Sequence, residues 1–163
     1  MLLLLMRHGV AQPLDDDLVD DFHRPLTREG RARAKQAARG LKKLVTRLDF
    51  VASSPKSRAR ATAQIVSDIY GKAAPKVTEW PELMAGDGEK IIGKISGLNT
   101  KTLLLCGHEP HLSELSAQLL TGSAGGMTIS FKKAGVMALE VDPRGAATLL
   151  WHLTPSQLRR IGR

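Results

Sequence analysis

The sequence predicts an α/β fold: a three-layer α/β/α sandwich whose mostly parallel central sheet carries an added C-terminal hairpin at one edge. Three observations carry that expectation. Short strand-like runs at 1–6, 49–53 and 102–106 are dominated by apolar residues, as strands covered on both faces are. Each is followed by a stretch of helical periodicity, and strand–helix alternation implies parallel strands with helices on both sides. The C-terminal part instead holds two runs, 134–141 and 147–153, around a turn at 142–145, the pattern of an antiparallel hairpin.

The first run, 1–6, ends abruptly at Arg7-His8-Gly9. A loop-like stretch to about Pro25 follows, with Asp15, Asp16, Asp17, Asp20 and Asp21; no ligand cluster accompanies these acids, so they read as a solvated loop. Thr27 has the character of a helix N-cap, with Glu29 in the first turn where the helix dipole favours an anion. Ala34, Ala37, Ala38, Leu41, Leu44, Val45 and Leu48 then recur at helical spacing, while Arg31, Lys35, Arg39, Lys42 and Lys43 occupy other positions. After the run 49–53, Pro55 is expected to open a second helix that continues to about Tyr70, because a proline costs nothing where the N–H has no partner. A short strand is expected at 77–79 and a helix at 87–95. The run 102–106 is broken by Gly107-His108-Glu109-Pro110, and a helix is expected from about Pro110 to Leu120. A short helix over 156–161 closes the chain. The 163 residues fit one domain, 1–163, with no internal repeat or linker.

Composition narrows the function classes. Hydrophobic residues make up 42% and charged residues 25%, a globular balance. Cys106 is the only cysteine, so no intrachain disulfide can form, which suits a reducing compartment. The apolar start is too short for a secretory segment and no run approaches a bilayer span, so a cytoplasmic protein without membrane association is expected. The net charge of +8 points to an anionic substrate or partner. Aromatics are only 4%, which disfavours a base-stacking surface and hence nucleic acid.

In parallel sheets, sites form beyond the carboxyl ends of the strands. Three such ends carry Arg7 and His8, then Arg58 and Arg60 one turn into the next helix, then His108. A neutral imidazole is a nucleophile near neutral pH, and its attack on phosphorus splits one difficult step into two. Arginines match phosphate oxygens with charge-assisted hydrogen bonds and stabilise the charge of the transition state. Such a set requires no metal and no cofactor. Arg60, two residues from Arg58, points elsewhere on a helix and reads as surface charge. Arg24, just before the helix cap, is a further candidate for phosphate. His111, three residues after His108, suggests a metal pair, but Pro110 intervenes and no third ligand is apparent. His23 and His152 are assigned no catalytic role, and Cys106 reads as core.

These residues resemble a family. Arg7-His8-Gly9 resembles the signature of the histidine phosphatase superfamily, Ser54-Pro55-Lys56-Ser57-Arg58-Ala59-Arg60-Ala61-Thr62 its second arginine block, and Gly107-His108 its second histidine. Arg24-Pro25-Leu26-Thr27-Arg28-Glu29-Gly30 is similar to the lead into its first helix. Short length and the absence of large insertions make the chain similar to the SixA-type phosphohistidine phosphatases. The resemblance implies a phosphoglycerate-mutase-like fold, with His8 as nucleophile, Arg7 and Arg58 as phosphate holders and His108 as stabiliser of the transferring group.

One departure bears on substrate. Many phosphomonoesterases of the superfamily carry a glutamate as general acid after the third strand, and here that position falls near Ala85, with Glu82 and Asp87 displaced from it. An alkoxide needs a proton to leave, whereas a phosphorylated imidazole that is already protonated leaves as neutral imidazole. The expected substrate is therefore phosphohistidine in a signalling or phosphotransfer protein, such as a histidine phosphotransfer domain. The alternatives are a small-molecule or broad-specificity phosphomonoesterase and a noncatalytic anion- or nucleic-acid-binding module.

Overall fold

The computed structural model describes residues 1–14 and 20–163. Asp15, Asp16 and Asp17 of the acidic run lie outside the described residues. Six strands form one sheet: β1 (Leu2–Arg7), β2 (Phe50–Ser53), β3 (Val77–Glu79), β4 (Thr102–Gly107), β5 (Val136–Val141) and β6 (Ala147–Leu153), in the order β3-β2-β4-β1-β5-β6. The first four are mutually parallel. β5 runs antiparallel to β1, and β6 antiparallel to β5. The expected parallel sheet and edge hairpin are both present.

Alternation along β1 separates two cores. Leu4 and Met6 face α1 (Arg28–Leu44), α2 (Ser57–Tyr70) and α6 (Pro155–Ile161), packing among Ala34, Ala37, Ala38, Ala59, Ala63 and Leu158. Leu3 and Leu5 face α3 (Glu82–Ala85), α4 (Gly88–Ser96) and α5 (His111–Thr121), among Leu83, Ile91, Ile95, Leu112, Leu115 and Leu119. This is the three-layer arrangement, and it explains why β1 reads as an unbroken apolar run: both of its faces are covered.

Thr27 caps α1 as expected, its hydroxyl accepting from the Gly30 amide at 2.8 Å. Several boundaries shift for identifiable reasons. α2 starts at Ser57 rather than Pro55, because the Ser54 amide still donates to the Cys106 carbonyl at 2.9 Å and the chain bends before Lys56 takes the cap. The Asp87 side chain accepts from the Lys90 amide at 3.1 Å, so Asp87 caps α4 rather than belonging to it. α1 ends at Leu44; Leu48 is buried but lies beyond the helix. Pro110 precedes α5, whose first residue is His111. β5 begins at Val136, because Ala134 takes the left-handed conformation (φ 65°) and turns its amide toward the carbonyls of Arg7 and His8, at 3.0 and 3.1 Å. The four-residue α3 escaped the sequence pattern because it is a single turn. No helix of the described residues is long and apolar enough to cross a membrane.

Candidate active site

β1 and β4 are neighbours in register, Met6 opposite Cys106 and Arg7 opposite Gly107. The next rung joins the His8 amide to the Gly107 carbonyl at 3.1 Å. His8 and His108 therefore leave the sheet side by side, with ring centroids 5.0 Å apart and planes tilted by 54°. Both are buried, at 5% and 6% exposure.

The His8 ring has a defined tautomer. Nδ1 lies 2.7 Å from the carbonyl oxygen of Gly9, an acceptor, so Nδ1 carries the proton. Nε2 then presents its lone pair, which accepts from Arg58 Nε at 3.3 Å. Burial, together with the Arg58 and Arg7 guanidiniums, lowers the His8 pKa from about 6.5 to about 3. Burial and the neighbouring His8 do the same to His108, again to about 3. Both rings are neutral at physiological pH, the state a nucleophilic nitrogen requires.

Arg58 projects from the first turn of α2. Its Nη1 donates to the Asp21 carbonyl oxygen at 2.7 Å and its Nη2 to Asp21 Oδ2 at 3.2 Å. The same carboxylate receives Lys56 Nζ at 2.7 Å and Arg24 Nη2 at 3.2 Å. One carboxylate thus holds three cations beside His8, and the hydrogen bond from Lys56, followed by that from Arg58, pulls its pKa down to about 2. The expectation that Asp21 belongs to a merely solvated acidic loop is corrected here. Arg24 enters the same cluster through Asp21.

Arg7 lies at the end of β1, where its Nη1 donates to the Phe131 carbonyl at 2.6 Å. That carbonyl is fixed in turn, because the Phe131 amide donates to Glu109 Oε1 at 2.7 Å and the Ser113 hydroxyl donates to Glu109 Oε2 at 2.6 Å. Glu109 therefore ties the segment that holds Arg7 to the start of α5. Thr62, one turn beyond Arg58, links α2 to the loop that follows His8: its hydroxyl donates to the Arg58 carbonyl at 2.7 Å and accepts from the Gly9 amide at 3.0 Å. The Ser54 hydroxyl pairs with His108 Nε2 at 2.7 Å. Among the described residues, Arg7 Nε, Arg24 Nε and His108 Nδ1 are buried without a partner.

The structure thus brings His8, Arg7, Arg58 and His108 together, with Arg24 at the edge of the cluster. Arg60 points away, as expected, and pairs with Glu79 at 3.2 Å. Asp21, Glu109, Thr62 and Ser54 were not assigned roles from sequence. Thr62 and Ser54 lie inside the arginine block, but their partners are distant in the chain; Asp21 and Glu109 carry no local signal. Neither displaced acid is free. Glu82 Oε2 pairs with Lys94 at 2.7 Å and Asp87 with Lys90 at 2.9 Å, and both carboxyls are held below their ordinary range chiefly by those lysine hydrogen bonds. Cys106 is fully buried and its thiol pKa is raised by that burial. No metal-binding cluster of three or more His, Cys, Asp or Glu occurs among the described residues.

Comparison with known proteins agrees with this fold. The sequence profile of the histidine phosphatase superfamily (branch 1) matches residues 3–95. An uncharacterized protein of Picosynechococcus sp. is 31% identical over 154 residues, spanning 93% of this chain and 90% of that protein. The phosphohistidine phosphatase SixA of Escherichia coli is 29% identical over 164 residues, spanning 98% and 97%. A solved structure of the protein histidine phosphatase SixA complexed with tungstate superposes with a TM-score of 0.86 at 28% identity, covering 97% of this chain and 99% of the other. By the profile match, which spans more than half of the chain, and the likeness to SixA along nearly all of it, the chain belongs to the histidine phosphatase superfamily, branch 1, and is an enzyme of that hydrolase class.

Proposed function

We propose that the chain dephosphorylates phosphohistidine in a signalling or phosphotransfer protein, through a covalent phosphohistidine on His8. The observation that carries the substrate class is the commitment to lysines of the two carboxylates flanking the acid position near Ala85, Glu82 to Lys94 and Asp87 to Lys90. An acid whose pKa is lowered is deprotonated at neutral pH and has no proton to give an alkoxide. A protonated phosphoimidazole needs none. The similarity to SixA along almost the whole chain supports the same reading.

In this mechanism His8 Nε2 attacks phosphorus in line. The P–Nε2 bond forms as the bond to the substrate nitrogen breaks, and the substrate ring leaves as neutral imidazole, keeping the proton on its other nitrogen. The proton on His8 Nδ1 stays on that nitrogen, donated to the Gly9 carbonyl oxygen throughout, so phosphorylation leaves a cationic ring held in place. Arg7 and Arg58 donate to the equatorial oxygens and supply the positive charge that the reaction needs, and neutral His108 donates from Nδ1 while its Nε2 accepts from the Ser54 hydroxyl. Water then attacks phosphorus, the P–Nε2 bond breaks, and dihydrogen phosphate and neutral His8 result.

A second reading, a phosphatase for small phosphoesters, is favoured by one observation. The His111 ring lies over Gly86, next to the position near Ala85 where an acid would stand; a Cβ on Gly86 would fall 2.4 Å from His111 Cδ2. An imidazole there could protonate an oxygen leaving group. The two readings are separated by mixing the protein with a phosphorylated histidine phosphotransfer domain and, in parallel, with alkyl phosphates, and quenching at short times. Rapid loss of phosphate from the protein substrate, with acid-labile label on this chain that His8→Ala abolishes, is the expected result. Turnover of alkyl phosphates alone, lost in His111→Ala, would favour the second reading.

A further inference from the structure

The helices of the two outer layers differ sharply in charge. α1, α2 and α6 together carry Arg28, Arg31, Arg33, Lys35, Arg39, Lys42, Lys43, Arg58, Arg60, Arg159 and Arg160 against Glu29 and Asp68. α3, α4 and α5 carry Lys90 and Lys94 against Glu82, Glu89 and Glu114. Most of the first set lies in one line. At about 100° per residue, Arg28, Arg31, Lys35, Arg39, Lys42 and Lys43 fall within one third of the α1 circumference. That arc is opposite the face buried by Gly30, Ala34, Ala37 and Leu41, and all six residues are exposed. The stripe runs about 22 Å along the helix.

This arrangement works against the helix. Arg31/Lys35, Lys35/Arg39 and Arg39/Lys43 are like-charge pairs four apart, where opposite charges would stabilise. Arg28 and Arg31 sit at the end where the helix dipole repels cations. Among the described residues, none of the six is paired with a carboxylate. Arg33, outside the stripe, takes Glu29; Lys42 reaches the Ile69 carbonyl at 2.9 Å and stands 5.9 Å over the Tyr70 ring, and Lys43 reaches the Arg163 carbonyl at 2.5 Å. The stripe also begins at the catalytic rim, because the Thr27 amide donates to the Val10 carbonyl at 3.0 Å, two residues from His8.

We propose that this stripe docks the acidic face of the phosphorylated protein substrate and so presents its phosphohistidine to His8. The proposal rests on the phosphoprotein reading of the site. A protein surface is favoured over nucleic acid because α1 carries no aromatic side chain to stack on a base, and Tyr70 and Trp80 are buried. Long-range attraction from such a stripe raises the encounter rate and makes it salt-dependent.

The test is the triple variant R31Q/K35Q/R39Q against a phosphorylated histidine phosphotransfer domain of net negative charge, with an aryl phosphate as control. Expected are a fall of about tenfold or more in kcat/KM on the protein at low salt, a flatter salt dependence, and unchanged aryl phosphate hydrolysis. R28Q/R31Q, next to the rim, should lose more than K42Q/K43Q, and neither R28Q/R31Q nor the triple variant should melt below the wild type, since each removes a repulsion. Wild-type kcat/KM and salt dependence in the triple variant would overturn the docking role and leave the phosphatase reading intact. Aryl phosphate turnover with no activity on the phosphoprotein, in wild type as well as variant, would overturn the substrate reading and the docking role with it. Loss of retention on single-stranded nucleic acid, with phosphoprotein kinetics unmoved, would reassign the stripe to nucleic acid.

Discussion

The two helical layers are built on different packing principles. Against one face of the sheet, α1 packs on its surroundings largely through alanines and glycines, and backbones nearly touch: a Cβ on Gly40 would lie 1.9 Å from the Leu158 carbonyl oxygen, and one on Gly30 2.0 Å from that of Val10. Against the other face, α3, α4 and α5 pack through leucines and isoleucines, with Trp80 and Phe131 filling the ends. The close-packed layer carries Arg58 and Thr62, whose contacts reach His8 and Gly9 directly. The layer of large side chains acts on the site at one remove, through Glu109 and Phe131 to Arg7. Backbone contact leaves little slack, so the groups that touch His8 and Gly9 lie on the side where small displacements are hardest.

Substitutions can break this contrast or sharpen it. The largest effect is expected at Arg58, where Arg58→Ala should lower kcat/KM on any phosphorylated substrate by about 10²–10³-fold, with Arg58→Lys recovering little because an ammonium lacks the fork. Steady-state kinetics would check this; a loss below tenfold would remove Arg58 from the phosphate site. Leu115→Ala, in the second layer, should cost about 2–5 kcal/mol in denaturant unfolding because it leaves a cavity among large neighbours.

The sharpest comparison makes one substitution in both layers. Gly93→Ala in α4 meets nothing within 4 Å and should stabilise by about 0.5–1 kcal/mol through helix propensity. Gly40→Ala in α1 gains the same propensity but drives a methyl into the Leu158 carbonyl, so a net loss of about 1–3 kcal/mol is expected. Equal signs in thermal melts would contradict the difference in packing. The two buried histidines, on the strand ends between the layers, set the acid limb. Their pKa values fall from about 6.5 to about 3 on folding, so the unfolded chain binds more protons between those values. Stability should be level above about pH 6.5 and decline steadily as the pH drops toward about 3. The His8 ring resonances of the native protein should not titrate near pH 6.5. The smallest effect is expected at Arg60, which points to Glu79: Arg60→Ala should change kcat/KM less than about twofold.

The elements that sequence reasoning recovered are those whose signal is local. The buried strands, the Thr27 cap, the hairpin and the four residues at the strand ends all announce themselves within a few positions. What escaped depends on partners far along the chain. Asp21 resembles its acidic neighbours until Lys56 and Arg58 are brought against it, and Glu109 is one more helix-flanking acid until the Phe131 amide arrives. Ala134 escaped for a different reason: a left-handed alanine carries no mark of its conformation, which is imposed by the two carbonyls that its amide satisfies. The Pro55 boundary failed because the bond from the Ser54 amide to Cys106 outlasts the local preference of proline for a helix start.

The pairing of Arg7 with Gly107 makes the sheet a ruler. Neighbouring strands in any sheet stand about 4.8 Å apart, and the two imidazoles, one step past that pair, stand 5.0 Å apart. The spacing between their strands is inherited from the hydrogen-bond lattice, and the contacts of His8 to Gly9 and of His108 to Ser54 orient the rings. Loops can therefore lengthen, shorten or change charge without detuning the pair, whereas a single residue inserted in β1 or β4 would shift one ring by a full step and turn it to the other face. A distance protected in this way leaves the surroundings of the two imidazoles free to be rebuilt.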